Sequence, residues 1–135
     1  MDTLTPFERS ARMRAVKSSD TKPERALRRL VWGLGYRYRK HRGDIPGKPD
    51  IALISRKRAI FLHGCFWHRH DCASGRRFPK SRLDFWNSKF DRNVRRDAAV
   101  MRELRLEGWR ALVIWECELA ERAAVERRVR KFLNA

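Results

Sequence analysis

The most distinctive chemistry in the sequence is a set of side chains that can bind a metal ion. Cys65 is followed closely by His70 and Cys72, and Cys117 comes after a distant apolar run. Structural zinc sites use four Cys or His ligands in a tetrahedron, and a set of three Cys and one His leaves no position for water. The spacing therefore predicts a structural zinc site. His68 could replace His70 as a ligand, and the alternative to any metal is a set of reduced, partly buried cysteines.

A second group of residues is suited to hydrolysis. Asp50 stands where one short apolar run begins, and its carboxylate is the kind of oxygen ligand that Mg²⁺ prefers. His63 ends the next apolar run, so the two residues share one cleft if the two runs form a hairpin. A metal held by a carboxylate beside a histidine suits phosphodiester hydrolysis, and His68 lies close by in the sequence. The alternative is that Asp50 is an aspartate of a turn.

Aromatic residues lie among basic residues in the same part of the sequence. Phe66 and Trp67 precede charged loop residues, and Trp86 lies on the apolar stripe of a predicted helix. Apolar wedges that enter between base steps, with cations on the surrounding phosphates, are a known way to kink DNA. These three side chains are therefore candidates for DNA contact, and packing in the core is the alternative for Trp86.

Hydrophobic spacing predicts the elements that position these side chains. A capping box from Thr21 to Glu24 begins a helix, and Ser81 caps a second, long helix. Strands are predicted at residues 36–39, 51–54 and 59–62, the last two as an antiparallel hairpin buried on both faces. Residues 111–115 form a last buried strand and residues 119–132 a terminal helix. The stripe of the long helix is Trp86, Phe90, Val94, Met101 and Leu104. The whole predicts a small mixed α/β sandwich.

Length and charge limit the class of protein. The 135 residues fit one domain, and 33 Lys and Arg against 16 Asp and Glu give a formal net charge of +17. Such a chain is expected to bind a polyanion, either nucleic acid or an anionic membrane surface. Residues 1–20 are predicted to be a flexible basic arm and residues 21–135 a single domain. No long apolar run or signal peptide is visible, which predicts a soluble, cytoplasmic protein.

Five separated motifs resemble one known family. They are Pro-Gly-Lys-Pro-Asp50, Ile-Phe-Leu-His-Gly-Cys-Phe-Trp-His68, Asp84-Phe-Trp86, Lys89-x3-Asn93-Val-x2-Asp97 and Gly108-Trp-x5-Trp-Glu-Cys117. In this order they resemble the very short patch repair (Vsr) endonucleases, bacterial enzymes that nick DNA at mismatches. The similarity runs from about Met13 to Glu118. It implies a restriction-endonuclease-like α/β core with a small mixed sheet flanked by helices, which uses Mg²⁺ to nick one strand 5′ of a thymine mispaired with guanine.

The resemblance also implies roles for individual residues. Asp50 and the backbone carbonyl of Leu62 would bind Mg²⁺, while His63 and His68 would attend the water and the scissile phosphate. Glu24 matches an active-site acid of the family. The implied zinc ligands are Cys65, His70, Cys72 and Cys117. The residues expected to contact DNA are Phe66, Trp67, Trp86, Arg14 and Lys17.

The expected partner is double-stranded DNA that contains a T·G mismatch. The family also implies a monomer that works beside mismatch-repair proteins such as MutL at the bacterial nucleoid. One departure from generic nucleases is visible, since Leu62-His63-Gly64 stands where restriction-type enzymes usually carry Glu-x-Lys. Two rival interpretations are a restriction-type nuclease that cuts both strands and a zinc-stapled DNA-binding module without catalysis.

Overall fold

The computed structural model describes residues 21–40, 42–65, 68, 70–73, 75–76 and 81–134. Within them the helices are α1 (Lys22–Gly33), α2 (Leu83–Leu106) and α3 (Arg122–Asn134), and the strands are β1 (Ile51–Leu53), β2 (Arg58–His63) and β3 (Arg110–Trp115). Short 3-10 helices, Ile54–Arg56 and Glu116–Ala120, follow β1 and β3. The arm predicted for residues 1–20 lies outside the described residues. Among the described residues, no helix has the length and apolar character needed to cross a membrane.

The strands of the described residues form one mixed sheet in the order β1-β2-β3. β1 and β2 are antiparallel, with Ile51 opposite Ile60, and they are the predicted hairpin. β2 and β3 are parallel, with His63 opposite Trp115. Residues of β1 and β2 are buried along most of both strands, as a hairpin covered on both faces requires.

Side chains of the strands alternate between two hydrophobic clusters, one on each face of the sheet. One cluster joins the sheet to α1 and α3 and includes Leu27, Leu30, Val31, Ile51, Leu53, Ile60, Ile114, Val125, Val129 and Leu133. The other joins it to the C-terminal half of α2 and includes Ala52, Ala59, Phe61, Val100, Met101 and Leu104. By the same alternation, the residue before β1 and the last residues of β2 and β3 belong to the α2 face. These residues are Asp50, His63 and Trp115.

The prediction of a strand at residues 36–39 is wrong. The segment makes one isolated antiparallel bridge, in which Arg39 and Ala52 exchange backbone hydrogen bonds of 2.8 and 2.7 Å. Tyr36 and Tyr38 do alternate towards the core, but their hydroxyl groups donate to atoms of α3 and α1. The segment is thus anchored by tyrosine side chains instead of a hydrogen-bonded ladder.

The helix boundaries follow the predictions in part. Thr21 is the N-cap of α1 and its hydroxyl accepts from the Glu24 N–H at 3.4 Å, as predicted. Ser81 is not the cap of α2, because Arg82 occupies that position with a left-handed backbone and no capping side chain. The predicted terminal helix is α3, preceded by the second 3-10 helix.

Candidate active site and metal cluster

A cleft of about 330 Å³ lies between the ends of β1 and β2 and the middle of α2. It contains both Asp50 and His63, because both belong to the sheet face that α2 covers. The residues that line it are Gly47, Lys48, Asp50, Phe61, Leu62, His63, His68, Arg96, Asp97, Val100 and Met101. The hairpin therefore brings the acid and the histidines that the sequence singled out into one concave site.

Asp50 is fastened to the end of the neighbouring strand. The backbone N–H of Leu62 donates to Asp50 Oδ2 at 2.7 Å, across the hairpin. Asp50 is half-buried, so its carboxylate is held by the fold and still reaches the cleft. A fixed carboxylate oxygen next to a peptide group is an arrangement that can bind a divalent cation through oxygen.

His63, His68 and Asp97 form a compact group that also lines the cleft. The two imidazole rings stack with centroids 3.9 Å apart and an interplanar angle of 6°. His68 Nδ1 lies 2.5 Å from Asp97 Oδ2, so the carboxylate orients the His68 ring. Burial and, to a smaller extent, the charge of His68 outweigh the opposing effect of Asp97, and together they lower the pKa of His63 to about 4. His63 is therefore a neutral imidazole at neutral pH.

Asp97 is the functional candidate that the sequence reasoning missed. Asp97 belongs to the motif Lys89-x3-Asn93-Val-x2-Asp97, but the sequence alone suggested no role for it. The helical spacing carried the signal, since Asp97 lies seven residues after Phe90 and four before Met101, on the inward stripe. A carboxylate at that position of an apolar stripe marks a polar site. The predicted apolar stripe of the long helix is wrong at Val94, because this residue is 46% exposed.

Cations stand at the rim of the cleft. Lys48 follows Gly47, and both residues have left-handed backbones, with φ of 48° and 77°. A Cβ at Gly47 would meet the Cγ1 atom of Val100 at 2.4 Å, so glycine lets this loop close against α2. Arg96 lines the cleft from the helix side and donates to Asn93 Oδ1 at 2.6 Å. Two cations beside a carboxylate and two histidines suit a phosphate-bearing substrate.

The four proposed zinc ligands lie together in a second group. One ligand atom from each of Cys65, His70, Cys72 and Cys117 lies within 4.8 Å of all the others. A tetrahedral zinc ion would separate its ligands by roughly 3.5–4 Å, so only small inward shifts are needed. His68 lies in the other group, with Asp97. The structure thus separates the two histidines that the spacing alone left interchangeable.

Backbone groups support the sulfur atoms of this cluster. The Cys117 N–H donates to Cys65 Sγ at 3.4 Å, and the Gly75 N–H donates to Cys72 Sγ at 3.3 Å. The Gly75 donor lowers the pKa of Cys72 to about 7, whereas burial raises the pKa of Cys65 to about 12. A Cβ at Gly75 would meet the carbonyl oxygen of His70 at 1.8 Å, so glycine is required for this turn. The donor set fits a cation that deprotonates its thiol ligands, as zinc does.

Trp115 connects the two groups. Its ring stacks on His70 at 4.2 Å between centroids and meets His63 edge-on at 5.2 Å. The sequence placed Trp115 in a motif and at the end of a strand but gave it no role. The His68 ring also lies edge-on to Trp115 at 6.3 Å, so one indole packs against both histidines of the cleft and the histidine of the cysteine cluster.

The remaining predicted site residues lie elsewhere or outside the described residues. Glu24 is on α1, where its carboxylate accepts from Arg28 at 3.4 Å, and the described lining of the cleft does not include it. Trp86 is half-buried on α2 and stacks on Phe90 with centroids 5.8 Å apart. Phe66, Trp67, Arg14 and Lys17 lie outside the described residues. Their roles stay predictions.

Comparison with known proteins decides the family. The model of the family described as DNA mismatch endonuclease Vsr matches residues 1–74. The chain belongs to this Vsr family. It is 47% identical over 133 residues to the Type II nicking enzyme V.XorIIP of Xanthomonas oryzae pv. oryzae, covering 98% of this chain and 97% of the relative. It is 40% identical over 114 residues to the DNA mismatch endonuclease Vsr of Escherichia coli, covering 84% and 72%.

The fold has a solved counterpart as well. The catalytic domain of the homing endonuclease I-Bth0305I superimposes with a TM-score of 0.58 at 21% identity, over 84% of this chain and 94% of that domain. The predicted restriction-endonuclease-like fold is therefore confirmed. This Vsr-family chain is a DNA endonuclease, and its cysteine and histidine cluster could hold a metal ion.

Proposed function

We propose that this Vsr-family endonuclease nicks one strand of duplex DNA, 5′ of a thymine that is mispaired with guanine. The carrying observation is the cleft that Asp50, His63, His68 and Asp97 line together. The name of the Escherichia coli relative specifies a DNA mismatch endonuclease, and that of the Xanthomonas relative specifies a nicking enzyme. One such cleft, within the described residues, suits a monomer that cuts one strand at a time.

Asp50 and the carbonyl oxygen of Leu62 are the proposed ligands of Mg²⁺. The N–H and the C=O of one residue in an extended strand point to the same side. Because the Leu62 N–H donates to Asp50, the Leu62 carbonyl faces the same side of the hairpin. Oxygen donors of this kind suit Mg²⁺, which keeps several waters. When bound, the ion supplies Lewis-acid activation of the phosphate and of a bound water.

His68 is the proposed proton acceptor for the attacking water. Its Nδ1 faces Asp97 at 2.5 Å, which leaves Nε2 to face the substrate, and a carboxylate behind the ring stabilises the imidazolium that forms. The water oxygen bonds to phosphorus, its proton passes to His68 Nε2, and the bond from phosphorus to the leaving oxygen breaks. His63 stacks on His68 and limits the rotation of its ring.

Substrate binding is proposed to use charge and aromatic wedges together. Lys48 and Arg96 at the rim of the cleft hold phosphates next to the scissile bond. Trp86, half-buried near the start of α2, is a proposed wedge beside the mismatch. Phe66, Trp67, Arg14 and Lys17 are proposed as further contacts. Glu24 is proposed to join the cleft as an acid once DNA is bound.

The cysteine cluster is proposed to hold structural zinc. Its four ligands close a tetrahedral shell, and Cys65 lies two residues after His63, so the ion fixes the segment that carries both histidines. The family resemblance alone supports mismatch-repair proteins such as MutL as further partners.

Strand-specific cleavage tests the proposal. Duplexes with a T·G mismatch or a matched T·A pair carry a separate label on each strand and are incubated with Mg²⁺. We expect one product, from the strand with the mispaired thymine, and intact matched DNA. Cleavage of both strands of matched DNA would favour the restriction-type rival, and binding without cleavage would favour a DNA-binding module.

A further inference from the structure

The group on the histidine side of the cleft has the ligands of a different metal site. His63, His68 and Asp97 each offer one ligand atom, and these atoms lie within 4.8 Å of one another. Two imidazoles and one carboxylate suit zinc, cobalt, nickel or copper ions, whereas Mg²⁺ prefers oxygen. The same cleft therefore carries an oxygen-rich position at Asp50 and a nitrogen-rich position beside it.

We propose that His63, His68 and Asp97 bind a divalent transition-metal ion of the zinc class, and that this ion inhibits nicking. The ligands come from three segments, the end of β2, the following loop and the middle of α2. Two of the ligand atoms, His68 Nδ1 and Asp97 Oδ2, are already 2.5 Å apart. An ion bound by both atoms requires a separation of about 3.4 Å, which follows from tetrahedral geometry with metal–ligand distances near 2.0–2.2 Å.

The two stacked rings must tilt to share an ion. The lone pair of an imidazole nitrogen lies in the plane of its ring, and the His63 and His68 planes differ by only 6°. The stack with His63 restrains the His68 ring in the metal-free chain, so the ion must tilt His68 out of that stack; its side chain is 21% exposed and lies on a loop, which leaves room for the tilt. The site is thus preorganised at Asp97 and adjustable at His68.

The proposed ion is distinct from the zinc of the cysteine cluster. Trp115 lies against both groups, stacked on His70 and edge-on to His63. The cysteine cluster offers four ligands, three of them sulfur atoms, whereas the histidine group offers three and leaves a position open. We therefore expect the first equivalent of zinc to fill the cysteine cluster and a second, weaker equivalent to fill the histidine group.

The ion would inhibit nicking because it binds side-chain atoms that the proposed reaction needs. His68 can no longer accept a proton or keep its contact with Asp97 while both bind a metal. This consequence rests on the proposed function, whereas binding of the ion does not. Removal of the weak ion by a mild chelator should restore nicking, because the closed cysteine cluster keeps its own zinc.

Cobalt titration tests the binding directly. The chain that carries one zinc per molecule is titrated with Co²⁺ and followed by visible absorption. We expect one further equivalent with d–d bands of a nitrogen and oxygen site. If a thiolate-to-cobalt charge-transfer band is the only change, the ion enters the cysteine cluster and the proposal fails. If no equivalent binds, the proposal fails as well.

A pair of variants on one helix assigns the site. Asp97→Asn should weaken the cobalt affinity by at least about tenfold, as loss of a ligand commonly does. Asp91→Asn is the matched control, because Asp91 is exposed on α2 and pairs with Arg95 at 3.0 Å. Equal affinity in the two variants would overturn the assignment. If Asp97→Asn folds poorly, NMR spectra of the imidazole nitrogens of the unaltered chain replace this test. The second equivalent of zinc must then shift the signals of His63 and His68 but not those of His70.

Activity separates the two proposals. With Mg²⁺ held constant, the second equivalent of Zn²⁺ should abolish nicking of a T·G duplex in proportion to its occupancy. Full nicking at saturating occupancy would contradict the inhibition. A chain that binds the ion at His68 but nicks no duplex at any Mg²⁺ concentration would refute the proposed function and leave the metal site standing.

Discussion

The indole ring of Trp115 stacks on the imidazole of His70, with centroids 4.2 Å apart and planes inclined by 19°. The same indole meets His63 edge-on at 5.2 Å. His70 belongs to the cysteine cluster and His63 to the cleft, so one aromatic side chain is shared by the proposed metal site and the proposed catalytic site. Disorder in the cluster should therefore reach the catalytic histidines through Trp115.

Truncation of Trp115 should uncouple the cysteine cluster from the cleft. Trp115→Ala should cost about 2–3 kcal/mol of stability, below the values for a fully buried aromatic, and should also lower kcat at temperatures where the chain is folded. Trp109→Ala is the control, since Trp109 is a half-buried tryptophan that packs near the start of β3 and lies outside the described cleft lining. Denaturant unfolding and nicking rates measure both. Equal kcat in the two variants would refute the coupling.

Loss of a cysteine ligand should remove the zinc and the fold together. Cys72→Ser breaks a four-ligand site, and structural zinc contributes directly to folding free energy in small domains. Asp71→Asn is the control, because Asp71 is in the same loop and, among the described residues, forms an exposed ion pair with Arg76. Zinc content and thermal unfolding are the measurements. A stable, zinc-free and active Cys72→Ser protein would contradict a structural role for the metal.

The contact between Asp97 and His68 should matter for turnover more than for binding. Asp97→Asn removes the charge that orients and stabilises His68, so kcat should fall by at least about tenfold with little change in KM. The pH profile of kcat should change as well, because the amide cannot stabilise the imidazolium. Asp91→Asn should behave as the unaltered chain. An unchanged kcat and pH profile in Asp97→Asn would exclude the positioning role.

Salt should weaken DNA binding steeply, since a chain with a formal net charge of +17 binds a polyanion. Lys48→Ala and Arg96→Ala should each reduce the slope of log affinity against log salt by about one, because each removes one phosphate contact. Arg127→Ala, exposed on α3 across the sheet, should leave the slope unchanged. Fluorescence anisotropy over a salt series provides the slopes. Identical slopes in all three variants would show that the rim cations do not touch phosphates.

The sequence predicted the hairpin from local patterns, and it singled out the three cysteines and one histidine that the structure brings together. Two apolar runs around residues 55–58 specify the antiparallel pair, and Cys65 and Cys72 are close in the sequence, but Cys117 joins them only through the fold. The histidine ligand of the cluster could not be chosen from spacing. His68 and His70 are two residues apart, so only the family resemblance implied His70, and the fold then places His68 against Asp97 and His70 against Cys117.

Sequence spacing could not predict contacts between residues that are far apart in the chain. Asp97 approaches His68 across 29 residues of chain, and Trp115 reaches the cleft because β3 pairs in parallel with β2. Periodicity also cannot tell a strand from an extended segment. Tyr36 and Tyr38 alternate as a strand would, yet their hydroxyl groups, rather than a ladder, hold the segment in place.

The most direct measurement compares the unaltered chain with Asp50→Asn on end-labelled T·G duplexes in Mg²⁺. The asparagine oxygen can still accept from Leu62 N–H, so the fold is kept, but the charge that would bind the cation is lost. Asp44→Asn, in the exposed loop before β1, is the control. We predict that nicking of the thymine strand falls by at least about a hundredfold in Asp50→Asn alone, with DNA binding retained. Undiminished Mg²⁺-dependent nicking by Asp50→Asn would contradict the account.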